Sequence, residues 1–64
     1  MTHYEELLSQ FGYCEGMIGA DIDGDNVIVT IDKESAEIKT FQKNGWIRIN
    51  TYYPDGTQDE SYRK

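Results

Sequence analysis

Apolar residues first recur with a helical period and then with a strand period. Tyr4, Leu7, Leu8 and Phe11 fall at i, i+3, i+4 and i+7, which places them on one face of a helix. The pattern predicts a helix over residues 2–11. Thr2 can cap it, and Glu5 three residues later completes a capping box. Glu5 and Glu6 in the first turn complement the helix dipole. Gly12 is placed to end the helix in a left-handed conformation. Ten residues are too few for a stable isolated helix, so the stripe must dock on something.

Beyond Gly12 the runs become short, β-prone and separated by turn residues. Residues 16–22 predict a first strand, with Ile18, Ala20 and Ile22 on one face. Asp23-Gly24-Asp25-Asn26 is turn chemistry. Residues 27–31 form the clearest strand, five β-favoured residues with only Thr30 polar. Asp32 to Ser35 reads as a connection and residues 36–42 as a third strand. Asn44-Gly45 predicts a two-residue type I′ hairpin, in which both central residues reach positive φ. Residues 46–53 give a fourth strand, its Ile47, Ile49, Thr51 and Tyr53 alternating with Trp46, Arg48, Asn50 and Tyr52. Pro54 cannot donate a ladder hydrogen bond and marks that strand's end. After Pro54-Asp55-Gly56, residues 57–62 predict a short polar edge strand.

The expected fold class is therefore α+β. A short N-terminal helix packs on a four- to five-stranded antiparallel β-meander, in one domain over residues 1–64. The expected core is Leu7, Leu8, Phe11, Ile18, Ile22, Val27, Val29, Ile31, Ile38, Ile47 and Ile49. With one face of the sheet under the helix, the other meets solvent or a partner.

Size and composition narrow the function. A chain of 64 residues buries only about 60% of its unfolded surface and has little room for an enclosed active site beside a core. Cys14 is the lone cysteine, so no disulfide forms within one chain. With no apolar leader after Met1, this points to the reducing cytoplasm. No apolar run approaches the roughly 18 residues of a membrane span. The formal net charge is −6, which disfavours phosphate backbones and anionic membranes and favours basic partners.

The charge is unevenly spread. Nine of the twelve carboxylates lie in the first 37 residues, against Lys33 alone. Residues 38–53 carry Lys39, Lys43 and Arg48 and no acid. A one-sign field of this kind attracts the opposite sign.

Candidate chemistry is sparse. Asp21, Asp23 and Asp25 fall at positions 1, 3 and 5 of an EF-hand calcium loop, with Asp32 at position 12. Asn26 stands where that loop needs glycine, and residues 27–31 read as strand where a helix should follow. An acidic hairpin turn is the better reading. His3 and Cys14 are too few for zinc, and Cys14 lies beside Glu15, which disfavours a thiolate. Adjacent pairs such as Glu5/Glu6 and Asp59/Glu60 point apart and read as solvated surface. No nucleophile–base pair, metal set or cofactor motif can be assembled, so the chain is expected not to be an enzyme and to need no cofactor. Trp46 and Tyr52 are expected to share the face opposite the helix with Arg48 and Asn50. That face suits a protein–protein anchor better than a stacking platform for single strands.

The stretch Ile38-Lys39-Thr40-Phe41-Gln42-Lys43-Asn44-Gly45-Trp46-Ile47-Arg48-Ile49-Asn50, continued by Tyr52-Tyr53-Pro54-Asp55-Gly56-Thr57, resembles the tails of small acidic proteins from phages and conjugative elements of Gram-positive bacteria. It covers the last third of the chain, and its motif is mainly hairpin chemistry. The resemblance implies an anti-CRISPR or anti-restriction protein, a non-enzymatic binder that occupies a basic nucleic-acid channel by partial DNA mimicry. The partner would be a basic protein such as a Cas9-type nuclease. The carboxylates expected to carry it are Asp21, Asp23, Asp25, Asp32, Glu34 and Glu37, with Trp46 and Tyr52 as anchors. In a meander the turns at Asp23–Asn26 and Asp32–Ser35 lie at opposite ends of one strand, about 17 Å apart, which leaves two acidic clusters open beside one. Two alternatives stand beside this reading: a small homodimerising module, and a weak single-strand binder using the C-terminal hairpin.

Overall fold

The computed structural model describes residues 2–64. Helix α1 (His3–Phe11) is followed by strands β1 (Cys14–Ala20), β2 (Asn26–Ile31), β3 (Ala36–Phe41), β4 (Ile47–Tyr52) and β5 (Gln58–Arg63). The strands form one antiparallel sheet in the order β1-β2-β3-β4-β5, so every neighbour in sequence is a neighbour in space. The architecture is α+β, a short helix on a five-stranded meander.

The capping box is formed. Thr2 Oγ1 accepts from the Glu5 N–H at 3.1 Å, and Glu5 Oε1 accepts from the Thr2 N–H at 3.1 Å. The Thr2 N–H, and then the Thr2 hydroxyl, donate to the Glu5 carboxylate and hold it below its ordinary pKa. Gly12 ends the helix with φ 74° and ψ −177°. That is positive φ with extended ψ, a glycine conformation outside the expected left-handed helical well.

Three of the four hairpin connections share one design. Gln42 N–H donates to Trp46 O and Gly45 N–H donates to Gln42 O, enclosing three loop residues. Asp21/Asp25 with Gly24, and Tyr53/Thr57 with Gly56, repeat this pattern. Each is a turn closed by a glycine at positive φ, and among the described residues no other residue type has positive φ. Asn44 therefore does not adopt the type I′ geometry expected of Asn-Gly. Its Oδ1 accepts from the Trp46 N–H at 3.0 Å instead.

That extra loop residue decides which way β4 faces. A two-residue loop would pair Gln42 with Ile47 and send Ile47 and Ile49 to the helix side. The observed register pairs Phe41 with Ile47, Thr40 with Arg48 and Ala36 with Tyr52. A one-residue shift transfers every side chain to the other face. Arg48, Asn50 and Tyr52 consequently lie on the helix side, and Ile47 and Ile49 lie on the back.

The same correction applies to β1. An irregularity between Cys14 and Met17 puts one extra residue into the strand. It centres on Gly16, at φ 69°, whose N–H donates to Thr30 Oγ1 at 3.1 Å. Beyond this bulge Met17 pairs with Val29 and Ile18 with Ile28. Ile18 therefore points to the back and is 78% exposed, while Ile22 stands fully exposed in the first turn.

The core is smaller than expected. Tyr4, Val27, Val29, Ile31 and Ala36 are buried, with Ile31 only 2% exposed. Leu7, Leu8, Cys14, Met17, Ile38 and Tyr52 pack around them. Of the expected members, Ile18, Ile22, Ile47 and Ile49 lie outside it, and Phe11 is partly exposed. No helix among the described residues is long and apolar enough to cross a membrane.

Candidate functional site: an acidic end and an amphipathic groove

A meander sorts its turns by parity. The turns after β1 and β3 share one end of the sheet, here called the Asp23 end. Lys43 Nζ, from the third turn, reaches the Asp23 carbonyl of the first at 3.5 Å. The turns after β2 and β4 share the other, the Asp32 end. The start of α1 joins them there. Tyr4 Oη donates to the Asp32 carbonyl, and Thr2 lies against Gly56.

This geometry redistributes the charge. Glu5, Glu6, Glu15, Asp32, Glu34, Glu37, Asp55 and Asp59 gather toward the Asp32 end, with Lys33 as the one basic side chain among them in the described residues. Toward the Asp23 end lie Asp21, Asp23 and Asp25, among Lys43, Arg48, Arg63 and Lys64. Lys39 and Glu60 occupy the middle, Lys39 Nζ standing 3.8 Å from Glu37. The N-terminal acidity of the linear chain thus becomes an axial polarity of the fold. A six-residue strand spans about 17 Å, about twice the Debye length of roughly 8 Å at physiological salt. The two ends act as separate fields.

The six candidate acids form two clusters rather than one. Asp21, Asp23 and Asp25 are at one end, and Asp32, Glu34 and Glu37 are at or near the other. Two of them also build turns. Asp21 Oδ1 accepts from the N–H groups of Asp23 and Asp25 at 3.0 and 2.9 Å. Asp32 Oδ1 accepts from Glu34 and Ser35 at 2.8 and 2.9 Å. Asp55 Oδ1 accepts from the Thr57 hydroxyl at 2.6 Å and from its N–H at 3.0 Å, and these bonds, the hydroxyl first, hold its pKa below the ordinary carboxyl value. Glu34, Glu37 and Asp59 have no such backbone duty.

Tyr53 reports the local field. Its phenol donates to Asp59 Oδ2 at 3.3 Å. Its pKa is raised by desolvation first, then by Asp59, Asp55 and Glu37. Tyr4 is raised by burial, then by Tyr13 and Asp32.

Trp46 and Tyr52 do not share a platform. Trp46 sits in the third turn, 39% exposed, with Lys64 Nζ 5.3 Å from its ring. Tyr52 is on the helix side, its ring 5.1 Å from that of His3. It packs on the core and is not free to anchor a partner. His3 is thereby a packing residue. Cys14 is half-buried, its thiol 3.6 Å from the Val29 carbonyl. The Asp21–Asp25 segment joins two strands rather than two helices.

The back of the sheet carries Ile18, Ile28, Phe41, Ile47 and Ile49. Lys39 stands between Ile28 and Ile49 across the middle of this face. A charged side chain in such a place opposes stacking of the sheet on its own copy.

On the helix side, α1 leaves the Asp23 half of the sheet open. A groove of about 620 Å³ lies there. Leu7 and Phe11 wall it, and Val27, Ile38, Thr40, Arg48 and Asn50 line the sheet side. A smaller cavity of about 210 Å³ adjoins it along β1, sharing Phe11, Ala20, Val27 and Val29. Sequence reasoning did not find the groove, because it assigned Arg48 and Asn50 to the wrong face. It also left out Glu5, Glu6, Glu15, Asp55 and Asp59 as partners of Asp32. The signal for these was the parity of the turns.

Compared with known proteins, the chain matches no family, no curated protein and no solved structure.

Proposed function

We propose that this chain is a non-catalytic binding protein that presents its Asp32 end to a basic protein surface. The observation that carries the reading is the gathering of eight carboxylates around one lysine, drawn from the helix, the sheet and two turns. A rigid array of this kind suits cationic surfaces evolved to hold phosphates, and complementary fields steer association. The resemblance of the C-terminal third to mobile-element proteins directs the reading to a host nucleic-acid-binding defence protein, such as a Cas9-type nuclease, inhibited by occupation of its nucleic-acid channel. The contact residues on this reading are Glu34, Glu37 and Asp59, supported by Asp32 and Asp55. Asp21, Asp23 and Asp25 leave the proposed surface, because they lie at the other end of the sheet, where Lys43 reaches the Asp23 carbonyl. The homodimer reading is weaker because Lys39 interrupts the back face. The single-strand reading is weaker because Trp46 and Tyr52 are apart.

The test is affinity capture from a Gram-positive lysate with two variants. Glu34→Gln with Glu37→Gln and Asp59→Asn should release the partner, and Asp23→Asn with Asp25→Asn should retain it. Added salt or duplex DNA should also compete the partner away. Capture that ignores salt, or that both variants weaken equally, would defeat the proposal.

A further inference from the structure

We infer that the groove between α1 and the Asp23 half of the sheet binds a fatty-acid-like monocarboxylate. Its head would sit on Arg48, and its apolar tail would run over Val27 and Val29 toward β1.

The groove is amphipathic along its length. On the sheet, its polar groups lie on β3 and β4, where Thr40 lies directly opposite Arg48 and Asn50 directly opposite Ile38. From there toward β1 an apolar path runs through Val27, Val29 and Phe11 into the adjoining cavity, flanked by Gln10 of the helix and Asp21 at the end of β1. One polar head and one apolar tail match that order. The volume lies within the range of small-molecule sites, roughly 300–1,000 Å³.

Arg48 specifies the head. Its Nε is buried and has no hydrogen-bond acceptor among the described residues. An unmade hydrogen bond at a buried charged group is costly. Glu60 is the nearest acid on this face by register, but its Oε2 accepts from Tyr62 Oη at 3.0 Å. No carboxylate among the described residues forms an ion pair with Arg48. A ligand carboxylate can take Nε and one terminal nitrogen together, the forked geometry that guanidinium favours.

The remaining chemistry restricts the ligand. A dianion such as a phosphate monoester would meet one cation, with Asp21 at the rim and a net charge of −6 around it. A peptide C-terminus would bring amide groups into an apolar trough that leaves them unpaired. A hydrocarbon tail has neither difficulty.

The experiment titrates the wild-type chain with hexanoate, octanoate and decanoate below their micellar concentrations, and with decanol. Calorimetry gives affinity, and amide and Arg48 Nε–H resonances give location. Saturable binding is expected, with affinity rising about fourfold per added methylene until the tail fills the groove. Decanol should bind at least about tenfold more weakly than decanoate, for want of the charge-assisted bond. Arg48→Met should lower decanoate to the level of decanol. Resonances of Leu7, Phe11, Val27 and Arg48 should shift. Non-saturable binding, equal affinity for decanol, shifts confined to Ile28, Ile47 and Ile49, or a stronger response to an apolar peptide with a free C-terminus would each overturn the inference. The wild-type comparison of acid with alcohol decides the matter even where the variant folds poorly.

Discussion

Tyr4 Oη donates a hydrogen bond to the main-chain carbonyl of Asp32, 28 positions along the chain. It ties the first turn of α1 to the connection between β2 and β3. Its ring is also buried against the sheet. This one side chain therefore sets where the helix sits, which end of the sheet receives Glu5 and Glu6, and which half of the face stays open.

Tyr4→Phe should keep the packing and lose the bond. The expected cost is about 1 kcal/mol, read as a lower urea midpoint with an unchanged slope. Tyr4→Ala also removes the ring and should cost about 3–5 kcal/mol, enough to unfold much of so small a domain. Equal stability of Tyr4→Phe and wild type would show that the Asp32 contact does not hold the helix.

The third turn offers a sharp distinction. Asn44 keeps negative φ and fastens Trp46 N–H with its side chain. Asn44→Gly should destabilise by about 1 kcal/mol, through the lost bond and added backbone freedom. In a type I′ turn the same change would be neutral or favourable. Gly45, at φ 92°, should lose about 1–2 kcal/mol on substitution by alanine. Thermal melts of both variants check the turn type.

Face assignment is testable in the same way. Val29→Ala should cost about 2 kcal/mol, since it opens the middle of the core. Ile18→Thr should change stability by no more than about 0.5 kcal/mol, as expected of an exposed site. Comparable losses at both positions would contradict the bulge at Gly16.

The pH dependence has two limbs. Glu5 and Asp55 have lowered pKa values in the fold, from hydrogen bonds to Thr2 and Thr57. Such groups stabilise above their ordinary values of 4.5 and 3.8, and that share is lost as pH falls through the lowered values. Tyr4 and Tyr53 are raised above 10.0, chiefly by desolvation, with acidic neighbours adding to it. Their share is complete below pH 10.0 and disappears as pH rises through the raised values. Urea midpoints should therefore fall at both extremes. Glu5→Gln should soften the acid limb, and Tyr53→Phe the alkaline limb. A midpoint unchanged below pH 4 would contradict the capping-box contribution.

The elements themselves were legible in the chain. The 3.6-residue spacing of Tyr4, Leu7, Leu8 and Phe11 and the capping pair Thr2/Glu5 located the helix. Turn residues located all five strands to within a few positions. The buried triplet Val27, Val29 and Ile31 could be read directly, because β2 has neighbours on both sides and strict alternation. The acidic site was only half legible. The meander already set Asp21, Asp23 and Asp25 apart from Glu34 and Glu37, but not which further carboxylates would join each end.

Alternation and capping are local properties, and each residue reveals them through its near neighbours. The sequence alone therefore determined one helix, a meander of four or five antiparallel strands and the excess of negative charge. Parity is different. One additional residue at Lys43-Asn44-Gly45 turned β4 over, and one at Gly16 did the same for β1. Asn-Gly serves more than one hairpin geometry, and glycine permits a bulge without demanding one. Only packing against α1 and the ladder with neighbouring strands selected among them. That choice placed Arg48 in a groove and Ile49 half-buried on the back of the sheet.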